Sequence, residues 1–193
     1  MTKLSCKSFL VTGGAGFIGS NLVERLLDAG ARVRVIDDFS TGKRENLADF
    51  ADRIDLHEAS ITDRAACDAA CADMDYVLHQ AAIGSVSRSV DDPLLSHHAA
   101  ATGTLNMLTA AHAAGVKRFV GAGSSSAYGN TPTLPKVETM PSLPLSPYAV
   151  AKLAGEHYAQ VFPKLFGLET VVLRYFNVFG PRQDPKSIYS AVI

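Results

Sequence analysis

The segment VTGGAGFIGSNL, residues 11–22, places the strictest condition on how this chain can fold. Gly13, Gly16 and Gly19 stand between a β-branched run, SFLVTG, and an apolar-periodic run, FIGSNLVERLLDAG. The first predicts a strand, the second a helix that stops at Gly30. Glycine in the connecting turn reaches backbone angles that a Cβ would obstruct, and it lets a pyrophosphate approach the chain. The start of the helix, with Phe17 and Ile18, offers unpaired N–H groups to that negative charge. A glycine triplet alone is a weak signal. Here an acid follows about 20 residues on: Asp37, ending a second predicted strand, RVRVIDD. A carboxylate there accepts hydrogen bonds from ribose hydroxyls and repels a 2′-phosphate, so the expected cofactor is NAD rather than NADP. Asp38, Ser40, Thr41 and Gly42 form the loop expected to flank the adenosine.

The rest of the chain repeats the alternation. RIDLHEA, DYVLHQAA, KRFVGAGS and LETVVLRYF read as strands; DRAACDAACA, the run from about Pro93 to Ala114 and the run carrying Tyr148 read as helices. This pattern predicts an α/β fold, a doubly wound Rossmann-type parallel sheet with helices on both faces. The proline-rich segment NTPTLPKVETMPSLPLSP reads as an ordered loop, because regular elements continue after it. Length and a hydrophobic content of 47% suit one well-covered core. Eighteen basic against 19 acidic residues leave a net charge of -1, which offers no electrostatic footprint for nucleic acid or an anionic membrane. Cys6, Cys67 and Cys71 fit neither a zinc spacing nor a disulfide framework, and the six histidines show no ligand spacing, so no metal is expected. Glycines interrupt the apolar opening too early for a signal peptide or a membrane span, and the expected location is the cytoplasm.

PYAVAK places Tyr148 and Lys152 four residues apart, on one face of a predicted helix. By itself the pair reads as well as amphipathic cover as it does as a proton-transfer device. The G-x-x-G-x-x-G spacing together with Tyr148-x-x-x-Lys152 resembles the extended short-chain dehydrogenase/reductases, the NAD-dependent epimerase/dehydratase family. Within it, GSVSRSVDDP, SSSAYGN, LSPYAVAK and LRYFNVFGPRQDP are most similar to UDP-N-acetylglucosamine 4-epimerases and their UDP-hexose and UDP-hexuronate relatives.

That resemblance implies Tyr148 as acid/base, Lys152 as the ligand of the nicotinamide ribose, and Ser124 as hydrogen-bond partner of the sugar O4. A lysine ammonium and a positive nicotinamide favour tyrosinate, drawing down a phenol pKa of about 10. The implied reaction removes the O4 proton to Tyr148 while C4 passes hydride to NAD⁺. The 4-keto sugar then rotates, and hydride returns to its other face. The resemblance further implies Gln80, Ala81 and Ala82 as backbone beneath the cofactor, Ser60 and Ile61 near the adenine, and Phe176 near the nicotinamide. For the substrate it implies Gly84, Ser85, Ser125 and Asn177, with Arg88 as a further candidate. Family 4,6-dehydratases carry Thr-Asp-Glu where this chain has Ser124-Ser125-Ser126. Serines lack the pKa for water elimination, so epimerisation is expected instead.

The chain departs from the family pattern in three places. Ser60 stands where an aspartate often reads the adenine, and Ala100 where an asparagine is usual near the cofactor. Relatives also continue for roughly a hundred residues or more as a smaller domain over the nucleotide. The expected organisation is an NAD-binding domain over 1–180, with 181–193 opening a largely missing substrate-binding region. SIYSAVI, too short a helix to stand alone, is expected to fray. A chain cut short in this way is expected to bind NAD, to expose apolar surface and to turn over nucleotide sugar poorly. The family's four-helix-bundle mode predicts a homodimer through the stretch near His97 to Ala113 and the helix near Tyr148 to Phe166. A non-catalytic NAD-binding scaffold or sensor is the rival reading, because fold alone does not settle function.

Overall fold

β1 (Ser8–Thr12) is buried along its whole length, as a strand between two helical layers must be. In the computed structural model, which describes residues 4–185, it lies within a six-stranded sheet. β2 (Arg32–Asp37) and then β3 (Ile54–Glu58) lie on one side of it. β4 (Tyr76–His79), β5 (Arg118–Ser124) and β6 (Glu169–Tyr175) follow on the other. All neighbours are parallel, in the order β3-β2-β1-β4-β5-β6. This is the doubly wound topology expected, and its direction reverses between β1 and β4, where such sheets open a crevice at their carboxyl ends.

Alternation along β1 builds both layers. Phe9 and Val11 join Val23 and Leu26 of α1 (Phe17–Asp28), together with Leu47 and Phe50 of a 3₁₀ segment, Arg44–Arg53. Leu10 points the other way, into a cluster with Cys67 of α2 (Arg64–Cys71), Phe119, Met107 and Leu108 of α5 (Gly103–Ala113) and Phe162 of α6 (Pro147–Phe166). Fully burying a leucine or phenylalanine contributes about 1.5–3 kcal/mol, so these two clusters carry most of the hydrophobic driving force. Gly30 ends the first helical unit at φ +82, as its place in the sequence predicts. Among the described residues no helix is long and apolar enough to cross a membrane, and no cluster of His, Cys, Asp and Glu could hold a metal.

Helical backbone runs from Pro93 to Ala113 as expected, though not as one regular α-helix. A separate helix, α3 (Val86–Asp91), precedes it, and the two are parted at Asp92, whose φ of -138 and ψ of 86 are not helical. α4 (Pro93–His97) restarts on Pro93, where the missing N–H costs nothing, with the Asp92 carboxylate accepting from Leu95 N. A π-helical turn, His98–Thr102, then joins α4 to α5. Its Ala100 and Ala101 pack against Ala151 of α6, a seam of small side chains that brings the helices together. The proline-rich loop is tied as expected: Lys136 Nζ bonds the oxygens of Thr131 and Thr133, and Leu143 N donates to Ala127 O. The 3₁₀ segment before β3 was not expected, since its polar sequence lacks a clear period. SIYSAVI lies outside the described residues. Val171 and Leu173 on β6, and Phe176 and Phe179 beyond it, are exposed apolar side chains.

Candidate active site

The glycine turn is backbone against backbone. Gly13 has φ +67, its N–H donates to Ile36 O, and a Cβ placed on it would lie 2.8 Å from Ala81 Cα and N. A Cβ on Gly19 would lie 2.1 Å from Gly13 O. Neither site has room for a side chain, so the turn presents bare peptide at the start of α1. Two donors hold it from outside: Lys43 N and Asn46 Nδ2 both bond Ala15 O. Asp37 is buried at the end of β2, where Oδ2 accepts from Ala15 N and Oδ1 from Phe39 N, both at 2.9 Å. Burial pushes its carboxyl above the ordinary range, and those two N–H groups pull it back. A carboxylate has about four acceptor sites, so lone pairs remain for hydroxyl groups. A side chain on Gly42 would meet Ala15 Cβ at 2.8 Å and Asp37 Oδ1 at 2.9 Å.

On the outer side of this turn, Asp38 Oδ1 accepts from both the N–H and the hydroxyl of Ser40. Ser40 and Ser60 hydrogen-bond the Asp38 carboxylate and hold it below its usual range against the opposing effect of burial. Ser60 is thus brought to the loop of Asp38 and Ser40, with its hydroxyl also 3.0 Å from that of Thr62. Thr41 is exposed beside them. Ile61, next to Ser60, could meet a ligand through its backbone alone. Its side chain belongs to the core under Gly103, and its carbonyl is taken by Cys67 Sγ and Asn106 Nδ2, which leaves only its N–H for a ligand. Arg44 lies over the Phe39 ring at 4.0 Å and pairs with Glu58.

Across the crevice, Thr12 Oγ1 accepts from Gln80 N at 3.1 Å and Ala81 N at 3.0 Å. These bonds fix the start of the Gln80-Ala81-Ala82 segment beside Gly13. α6 begins at a sequence-built cap, with Ser146 Oγ accepting from Ala149 N and Pro147 at the first turn. The cap places Tyr148 at the helix entrance and Lys152 one turn later. Lys152 is half-buried, its Nζ donates to Ala122 O of β5 at 2.8 Å, and burial holds its pKa down to about 8. Ser124 lies two residues past Ala122, about 6.6 Å along a strand. Tyr148 lies four residues before Lys152, about 6 Å along a helix. α6 packs on β5 and on the turn after it, so its first turn, with Tyr148, lies toward the carboxyl end of the strand that Ser124 closes. Ser124 Oγ accepts from Ser126 N and lies 2.8 Å from Ser126 Oγ, while Ser125 is half-buried beside it.

The remaining candidates are looser. Ser85 caps α3, accepting from Arg88 N, and its hydroxyl is 3.0 Å from that of Ser87; Gly84 has open space where a Cβ would be, and Arg88 is exposed. Phe176 and Asn177 lie exposed just past β6, with the Phe176 ring 6.3 Å from that of Tyr128. The chain then returns to α1: Asn21 Nδ2 donates to Pro181 O, Arg182 pairs with Glu24 at 2.6 Å, and Gly180 faces the Phe17 ring. Ala100, on the π turn, gives its carbonyl to Thr104 Oγ1.

Several residues that shape this crevice escaped sequence reasoning. Thr12, Asn46 and Asn21 act through backbone contacts, Arg182 through an ion pair with Glu24, and His79 reads as an ordinary core histidine. For Thr12 and His79 the only signal was position, a polar residue at the carboxyl end of an apolar strand. The arrangement fits a dinucleotide. The turn has no room for a Cβ, Asp37 keeps free lone pairs, and Gln80 Oε1 is buried without a hydrogen-bond partner beside that turn.

Residues 9–193 match the family model for Epimerase, the NAD dependent epimerase/dehydratase family. A curated UDP-glucose 4-epimerase of Mycolicibacterium smegmatis is 44% identical over 181 residues, covering 91% of this chain and 58% of its own length. Among solved structures, a UDP-N-acetylglucosamine 4-epimerase of Methanobrevibacter ruminantium, in complex with UDP-N-acetylmuramic acid, is 40% identical with a TM-score of 0.91. That match covers 97% of this chain and 60% of the other. The UDP-glucose 4-epimerase of Thermus thermophilus, in complex with NAD, is 42% identical with a TM-score of 0.88, covering 95% and 59%. The chain thus spans somewhat under two thirds of the length of these relatives.

Proposed function

The chain belongs to the NAD-dependent epimerase/dehydratase family, and from that premise we propose that it works as the NAD-binding part of a UDP-sugar 4-epimerase. What supports this reading is the bond from Lys152 to Ala122, which ties the helix that carries Tyr148 to the strand that ends in Ser124. NAD, when bound, supplies a reversible hydride acceptor for the sugar's C4. The chain's own residues do the rest. The ammonium of Lys152 favours the phenolate of Tyr148, which takes the proton of the sugar's O4 hydroxyl and later returns it. Ser124 hydrogen-bonds the same oxygen and orients it. Ser125 and Ser126 offer no acid or base for elimination, which supports epimerisation over dehydration. Asn177 and Phe176, with Gly84 and Ser85, belong to the sugar-nucleotide side of this reading.

Residues 1–180 form the cofactor domain in this account, and 181–193 open the substrate region. Much of the relatives' length lies outside these 193 residues, so the chain alone holds NAD but turns over UDP-sugar weakly. A homodimer is supported by the apolar faces of α4 and α6, where Leu94, Leu95, Val150, Val161 and Leu165 are exposed and the two helices adjoin. The three free cysteines support a cytoplasmic location.

The test joins this chain to the C-terminal region of the Mycolicibacterium smegmatis relative, loads it with NAD, and follows UDP-glucose and UDP-N-acetylglucosamine by proton NMR. Appearance of the C4 epimer, abolished by Tyr148→Phe, is expected. NAD binding with no conversion of either sugar would leave a non-catalytic scaffold as the better account.

A further inference from the structure

His79 sits at the end of β4 with both ring nitrogens engaged, and the hydrogens of its partners can be assigned one by one. Thr12 Oγ1 already accepts two N–H groups, from Gln80 and Ala81. Its own hydrogen therefore goes to His79 Nδ1, 2.8 Å away. Nδ1 is then the acceptor, and the ring proton sits on Nε2, 3.0 Å from Thr104 Oγ1. Thr104 in turn donates to Ala100 O at 2.6 Å. The chain runs in one direction, from the strand that ends in the glycine turn to the π turn beside α6. A side chain on Gly155 of α6 would meet Ala100 O and Thr104 at 3.2 Å, so the two helices are in contact at that link. The ring lies 5.3 Å from that of Phe119, and burial with the nearby Lys152 holds it neutral, its pKa pushed down to about 3.

We infer that His79, as the neutral Nε2–H tautomer, is a positioning residue for the cofactor: it orients Thr12 so that Thr12 can hold Gln80 and Ala81 against the glycine turn, and it ties that strand end to the helices behind Tyr148 and Lys152. The same histidine in the other tautomer would present an N–H to Thr12 and force its hydroxyl to abandon one of the two backbone donors. A plain core histidine could carry either tautomer. The inference rests on NAD binding and not on the sugar chemistry, so it survives if the protein proves to be a scaffold.

Two measurements test it on the full 193-residue chain. Nitrogen-15 NMR of the imidazoles is expected to show His79 protonated on Nε2 alone, with no titration between about pH 5 and 8, where free histidines change charge. A protonated Nδ1, or a titration in that range, overturns the inference. NAD affinity is then compared for His79→Phe, Thr12→Val and Thr12→Ser, with NAD titrated directly and folding checked by thermal unfolding. Phenylalanine keeps the flat ring and its contact with Phe119 but removes both bonds. Affinity is expected to fall about tenfold or more in His79→Phe and Thr12→Val, and to be recovered in Thr12→Ser, which keeps the hydroxyl. Folded His79→Phe protein with unchanged affinity, or equal losses in Thr12→Ser and Thr12→Val, would contradict the role. If His79→Phe does not fold, the tautomer and the serine–valine contrast decide it.

Discussion

Lys152 and Ala122 join the helix that carries Tyr148 to the strand that ends in Ser124: the ammonium donates to the carbonyl at 2.8 Å. A strand carbonyl is a fixed acceptor, so this bond sets how far α6 stands along β5. It also keeps a positive charge in a half-buried place, one helical turn from the phenol that the proposed chemistry would ionise.

That charge has a pH signature. Burial lowers the Lys152 pKa from 10.5 to about 8. Between those values the unfolded chain binds more protons than the folded one, so this group's contribution to stability rises with pH across the window. At neutral pH, Lys152→Met should stabilise the fold by up to about 2 kcal/mol while abolishing turnover. Above pH 10.5 the gain should vanish. Urea unfolding of both proteins at the two pH values checks this; destabilisation by Lys152→Met at neutral pH would mean the Ala122 bond outweighs the buried charge.

Arg174 and Glu156 form the most enclosed ion pair among the described residues, 2.7 Å apart with side chains 13% and 7% exposed. The guanidinium also bonds Ser142 and lies over the Tyr128 ring, so it links β6, α6 and the proline-rich loop. Removing one partner strands the other charge. Arg174→Met or Glu156→Gln alone should cost about 3–5 kcal/mol, and Arg174→Met with Glu156→Leu distinctly less. Denaturant midpoints of the three variants give the comparison.

At Gly19 an added methyl has nowhere to go, since the nearest atom is a carbonyl oxygen of the same turn. Gly19→Ala should therefore destabilise by about 1–3 kcal/mol. It should also weaken NAD by roughly tenfold or more, because the turn must move to admit it. Calorimetric titration with NAD reads the second effect directly.

Asp37→Asn keeps the shape but removes the charge. An amide has fewer lone pairs for ribose hydroxyls and no longer repels a 2′-phosphate. NAD affinity should fall about tenfold, and the preference for NAD over NADP should narrow. Parallel titration with both cofactors measures the ratio; an unchanged ratio would remove Asp37 from cofactor choice.

Much of this was legible in the sequence because the relevant signals are local. The strand, turn and helix around Gly13, the acid at Asp37 and the parallel, doubly wound class of the sheet follow from spacing and alternation. The start of the long helix at Pro93 was legible, but α3 before it and the π turn were not, because an alanine-rich run carries helical propensity throughout and the π turn is set where Ala100 and Ala101 pack against Ala151. The core role of the Ile61 side chain was not legible either, since a residue one position beyond a recognisable contact can point into the core. The Thr12–His79–Thr104 chain joins three segments far apart in sequence, and no local pattern announces it.

The account stands on where the phenol of Tyr148 lies relative to the cofactor, and a crystal structure with NAD bound measures that most directly. The expected result has the pyrophosphate on the Gly13–Gly19 turn and the nicotinamide ring beside Tyr148 and Ser124, with Lys152 reaching its ribose. A nicotinamide lying away from Tyr148, or a pyrophosphate seated elsewhere than that turn, would contradict it.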